Sequence, residues 1–186
     1  MRSTDDAPAT DATITADGRV EVIGDRAIVR LPADASSALP SRGQVAAQVR
    51  VDGRAIRTVL EPDGRRGHWL GLDANLVREL TLTAGDRVEL AIAPVRQWPE
   101  PDVPDDLRSA LDDAPDLAGT WSDITPMARW EWVRWVSATR SPATRERRVE
   151  VSIDKLRSGK RRPCCFDLSS CTDPELSRGG RLVDPA

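Results

Sequence analysis

VAAQVRVDGRAIRTVL, Val45 to Leu60, decides the fold of the first half of this chain. Val45, Ala47, Val49 and Val51 alternate with less apolar neighbours, which puts them on one face of a strand. Asp52 and Gly53 then separate Val51 from a second run, Arg54 to Leu60. Asp-Gly supplies the two positive φ angles of a type I′ turn, so the stretch predicts a tight hairpin. Arg87 to Ala93 repeats the alternation with Val88, Leu90 and Ile92. Further turns are expected at Asp17-Gly18, Gly24-Asp25, Asp63-Gly64 and Gly85-Asp86, and short helices near Asp34 to Leu39 and from an Asp73 N-cap through Leu80. Five or six short strands in so few residues must curl to hide one face, which predicts a small β-barrel.

Composition changes between Pro94 and Pro104, where prolines and acidic residues mark a linker. Helical signals follow. Val103, Leu107 and Leu111 recur every four residues, as do Leu117 and Trp121. Thr125-Pro126 and Ser141-Pro142 both read as an N-cap followed by proline at the first helical position. The second of these helices carries Val149, Ile153 and Leu156 on one stripe and stops at Gly159. The helix containing Trp130, Trp132 and Trp135 is apolar nearly all round, which suits burial, with Trp130 the ring expected to be most exposed. The fold class is therefore α+β, a small N-terminal β-barrel followed by a compact helical domain. Expected boundaries are an unstructured segment over 1–18, a barrel over 19–94, a linker over 95–104, helices over 105–162 and a cysteine-bearing tail over 163–186.

The 186 residues carry a net charge of −3. Residues 129–162, however, hold 11 basic groups against 4 acidic ones. Such a segment either attracts an anionic partner such as nucleic acid or neutralises the rest of its own chain, and the second reading is preferred. Arginine outnumbers lysine 25 to 2, as a GC-rich bacterial genome would produce. The acidic start lacks an apolar core for a secretory signal, and no run approaches the roughly 18 apolar residues of a membrane span. A cytoplasmic location is expected.

The motif from Thr125 through Trp132-Val133-Arg134-Trp135-Val136 to Ser141-Pro142-Ala143-Thr144-Arg145-Glu146-Arg147-Arg148-Val149 resembles the C-terminal helical domain of the YdeI/OmpD-associated family, also called bacteriocin-protection proteins. Val29-Arg30-Leu31-Pro32, Ile56 to Leu60 and Thr83 to Leu90 resemble the small β-barrel domain of unknown function that often precedes it. The resemblance covers residues 19 to 162. It implies a role in bacterial stress or in protection against bacteriocins or cationic peptides, and it brings no catalytic residues.

Enzyme motifs such as GxGxxG, the P-loop, GxSxG and HExxH are not found. His68 is the only histidine and no motif ties a nucleophile to it, so a structural role is favoured. Cys164, Cys165 and Cys171 offer three sulfurs without a nearby histidine, a weak set for metal or redox use. Neither metal nor cofactor is expected. The side chains put forward for ligand binding are Arg57 and Trp69 in the barrel half and Trp130 and Arg145 in the helical half. Arg145 stands out because it lies beside the apolar stripe, within reach of a carboxylate or a ligand. The expected function is non-enzymatic binding of a small ligand or peptide by a cytoplasmic stress-protection protein. The alternatives are nucleic-acid binding through the basic segment and a cysteine-dependent site.

Overall fold

The structure, a computed structural model, describes residues 13–163 and 167–185. Cys164 and Cys165 lie outside the described residues. The chain forms two compact units. One comprises residues up to Pro99 together with Leu168–Cys171 and the segment from Leu176. The other comprises Glu100–Asp167 and Thr172–Glu175.

The first unit is a closed antiparallel barrel. Its strands are β1 (Ile14–Ile23), β2 (Arg26–Arg30), β3 (Val45–Val51), β4 (Arg54–Pro62), β5 (His68–Leu72) and β6 (Arg87–Pro94), in the order β1-β2-β5-β4-β3-β6. Asp52 and Gly53 both hold positive φ, 47° and 82°, so the β3–β4 turn has the type I′ form expected of Asp-Gly. That turn sets the register, pairing Val49 with Ile56, while on its other edge Val49 pairs with Ile92 of β6. Alternation then sends Val29, Val49, Leu60, Leu70, Leu90 and Ile92 into a fully buried interior. Between strands lie α1 (Ala33–Ser37) and α2 (Ala74–Glu79), the latter capped by the Asp73 carboxylate, which accepts from the amides of Asn75 and Leu76.

Two expectations about this unit need correction. Strand β1 begins at Ile14, inside the segment read as unstructured, and Asp17-Gly18 is not a turn. Gly18 pairs with Val88 in the ladder, and a Cβ there would lie 2.3 Å from the Val29 Cγ1. The glycine marks a close approach across the sheet.

The segment after residue 162, expected as a cysteine-bearing tail, is also more ordered than that. It contains a hairpin of two-residue strands, β7 (Ser177–Arg178) and β8 (Arg181–Leu182), too short to show any periodicity. Leu176 and Leu182 are fully buried against Ile23, Ile28 and Trp69 on the outer side of the barrel sheet, and Cys171 is buried with them. Backbone bonds from Leu182 to Asp63 and from Cys171 to Gly180 fix the segment, and Arg30 donates to the Val183 carbonyl.

The second unit holds α3 (Asp105–Asp112), a 3₁₀ turn over Pro115–Leu117, α4 (Ala118–Asp123), α5 (Pro126–Ser137) and α6 (Pro142–Arg157). The caps read from sequence are made: Thr125 Oγ1 accepts from the Ala128 amide and Ser141 Oγ from the Thr144 amide. Gly159, at φ 78°, follows the C-terminus of α6. Trp132 is fully buried among Leu117, Ile124, Ala128, Ile153 and Leu156, and its indole N–H donates to the Arg161 carbonyl at 3.1 Å. Its ring meets Trp135 edge-on, with centroids 6.1 Å apart.

Candidate functional site

The barrel unit carries a cleft of about 470 Å³, lined by Leu31, Ser36, Ser37, Arg42, Asp63, Arg65, Arg66 and Gly67 among others. The lining residue Ser36 is bonded to His68, the first residue of β5 and 1% exposed. Nε2 lies 2.9 Å from the Gly43 carbonyl, which can only accept, so Nε2 carries the proton. Nδ1 is then the acceptor for the Ser36 hydroxyl at 2.6 Å. One ring thus ties α1 to the segment leading into β3. Burial lowers the His68 pKa and nearby Arg42 lowers it too, against the opposing pull of the Gly43 bond and of Asp63. The ring is neutral at physiological pH, with both nitrogens in use.

One wall is the loop from Asp63 to Gly67, and it is braced from both sides. Asp63 Oδ1 accepts the amides of Arg65 and Gly67 at 2.6 and 2.8 Å, and the Asp63 amide donates to the Gly67 carbonyl at 3.0 Å. Gly64 packs against Gly180 of the β7–β8 turn so tightly that a Cβ would fall 1.9 Å from the Gly180 oxygen. On this platform Arg66 adopts φ 75°, in the left-handed region that costs a side-chain-bearing residue roughly 1–2 kcal/mol. Arg42 faces the loop, and its Nη1 makes two long contacts, 3.4 Å each, to the Ser36 and Arg66 carbonyls. Arg65 approaches Asp184 only at 3.8 Å.

In the helical unit the basic residues are held differently. Arg145 makes two bonds to Asp106 on α3, at 2.6 and 2.9 Å, and lowers the Asp106 pKa chiefly through them. Arg157 pairs with Asp116 at 2.9 Å, Arg161 with Asp123 at 2.6 Å and Arg129 with Glu100 at 2.8 Å. Arg148 and Lys155 sit over the Trp135 ring at 5.5 and 5.3 Å. Glu131, buried on α5, lies 3.5 Å from Arg162. Burial raises its pKa despite the pull of Arg162 and Arg134.

Residues 100–159, which hold this α3–α6 arrangement and its two proline-started helices, match the family described as bacteriocin-protection, YdeI or OmpD-associated. Residues 11–92 match a domain of unknown function (DUF1905). The chain thus joins a barrel similar to that domain of unknown function to a helical region similar to the YdeI/OmpD-associated family. No curated protein matches it.

Within the region that matches the YdeI/OmpD-associated family, Trp130 is half-buried on α5 and Arg145 is engaged by Asp106 in the first turn of α6. In the barrel, Trp69 is 4% exposed, its N–H donates to the Pro62 carbonyl, and its ring is covered by Leu176 and Leu182. Arg57 is exposed on β4 and reaches the carbonyl and side chain of Gln97 at 3.2 and 3.3 Å. Trp69 pairs with Glu61, four positions along β4 from Arg57, so the ladder sets the two apart. The cleft instead gathers Ser36, Arg42, Arg65 and Arg66, residues absent from the sequence-derived set. A signal for them existed in Asp63-Gly64-Arg65-Arg66-Gly67, two arginines enclosed by turn residues beside the only histidine. Among the described residues no three metal-ligating side chains come together, and no helix is long and apolar enough to cross a membrane.

Proposed function

We propose that this chain is a non-catalytic, cytoplasmic bacterial protein of the stress- and bacteriocin-protection type that binds a small ligand, with the barrel cleft as its site. The observation that carries the proposal is the cleft, whose wall is rigid before any ligand arrives and whose volume falls in the range of small-molecule sites. The match of residues 100–159 supports the protective role. Against a nucleic-acid partner stands the pairing of the basic segment, where Arg145, Arg157 and Arg161 are taken by carboxylates of their own unit. Against a cysteine-dependent site stands the burial of Cys171 in an apolar cluster.

The test is genetic. Deleting the gene should reduce survival under antimicrobial-peptide or oxidative stress, and wild-type protein should restore it. A Ser36→Ala, Arg42→Ala double variant, confirmed folded by circular dichroism, should not. An unchanged deletion strain would count against the protective role, and full rescue by the double variant would remove the cleft from it.

A further inference from the structure

We infer that the cleft takes a small organic anion, one presenting a carboxylate or phosphate group to Arg42 and Arg66. The inference rests on the cleft being the ligand site and adds the chemical class of its occupant. Charge is the first argument. Three arginines line the cleft against one carboxylate, and one oxygen of Asp63 already accepts two backbone amides. An isolated guanidinium offers five N–H donors in a fork that matches two oxygens of a carboxylate or phosphate. Arg42 uses one of its nitrogens, at 3.4 Å, on two carbonyls that bring no charge. Arg66 makes no side-chain hydrogen bond or ion pair among the described residues.

The second argument is conformational. Arg66 sits at φ 75° between Gly64 at φ 72° and Gly67, in a loop where a glycine would meet no steric cost at position 66. A strained backbone persists only where its surroundings hold it, and here they do. Asp63 closes the loop through three hydrogen bonds, and the Gly64–Gly180 contact clamps its back. The strain has no packing return visible in the structure, since Arg66 is exposed. What the conformation does is hold Arg66 beside Arg42, whose Nη1 contacts the Arg66 carbonyl. Binding to arginines carried on such a preset loop loses little backbone freedom. The third argument is size. About 470 Å³ exceeds what a bare inorganic ion fills, so the charged group belongs to a larger molecule whose body lies against Leu31, Ala33 and Ser37.

Calorimetric titration of the whole chain at fixed ionic strength tests this, using inorganic phosphate, citrate, uncharged sorbitol, a cationic peptide and a neutral peptide as probes. Binding of phosphate, of citrate or of both, with no heat from sorbitol, is the expected result, and which of the two binds more tightly identifies the group. Arg66→Gly separates function from fold. It should weaken the anion at least tenfold while raising the melting temperature, because glycine relieves the strain. Arg66→Lys keeps the charge without the fork and should fall between the two. Sorbitol binding without the anions, or a cationic peptide in their place, would overturn the anion class while leaving the cleft as a binding site. No heat from any probe would count against both. Unchanged anion affinity in Arg66→Gly would overturn the assignment to Arg66.

Discussion

In the helical unit Arg145, Arg157 and Arg161 each reach a carboxylate of the same unit, at 2.6, 2.9 and 2.6 Å. On the barrel, Arg42 touches, among the described residues, only carbonyls at 3.4 Å, and Arg66 is held in a left-handed turn at φ 75°. The helical segment is by far the more basic in sequence, yet these three of its arginines are already neutralised. Charge density along a chain is therefore a poor guide to charge available for a partner. What matters is whether folding brings carboxylates to the same place. Helices α3 and α4 and the 3₁₀ turn supply Asp106, Asp123 and Asp116 from an acidic stretch remote in sequence, whereas the short Asp63–Gly67 loop folds its one acid back onto its own amides.

The largest expected effect lies in the helical core. Trp132→Ala removes a fully buried indole and its bond to Arg161, and should cost about 3–5 kcal/mol, read by denaturant unfolding and by loss of the Trp132–Trp135 coupling in circular dichroism. A smaller loss would mean that the indole is not the centre of that core. On the barrel, Leu182→Ala opens the outer cluster around Trp69 and should cost about 2–5 kcal/mol, with faster proteolysis after residue 167. If the segment were cleaved no faster, its docking on the barrel would be in doubt.

The buried bond between Ser36 and His68 comes next. Ser36→Ala leaves the buried Nδ1 of His68 without a donor and should cost about 1–3 kcal/mol. The same ring sets a pH dependence. Its folded pKa lies below the ordinary 6.5, so between the two values the unfolded chain binds the proton and the folded chain does not. Stability contributed by the neutral ring is fully present above about pH 6.5 and falls as pH is lowered through that window. Melting curves of wild type and His68→Gln should converge as pH falls toward 5, and a constant gap would argue that the ring is not held neutral. Smallest of all is Arg145→Ala, which breaks a partly exposed pair and should change stability by less than about 1 kcal/mol. A larger loss would show that pairing in the helical unit holds the fold as well as neutralising it.

Local chemistry made much of this architecture legible. Asp52-Gly53 dictates its turn, Thr125-Pro126 and Ser141-Pro142 dictate helix starts, and the alternation in Val45–Val51 dictates a buried face. Gly18 reads as a turn residue because a glycine required by close packing looks the same in sequence as one required by a turn. The segment after residue 167 was missed because two-residue strands carry no period, and its anchors, Leu176 and Leu182, are single residues among polar ones. The cleft was not legible for a related reason. Ser36 and Arg42 come from one stretch and Arg66 and His68 from another, and only the barrel ladder brings the two together.

The contrast between engaged and available arginines is tested most directly by nuclear magnetic resonance, following backbone amides while sodium phosphate replaces sodium chloride at constant ionic strength. The account predicts shifts confined to Ser36–Gly43 and Asp63–His68, with little change over 142–162. Shifts concentrated in 142–162, with the barrel loop silent, would contradict it.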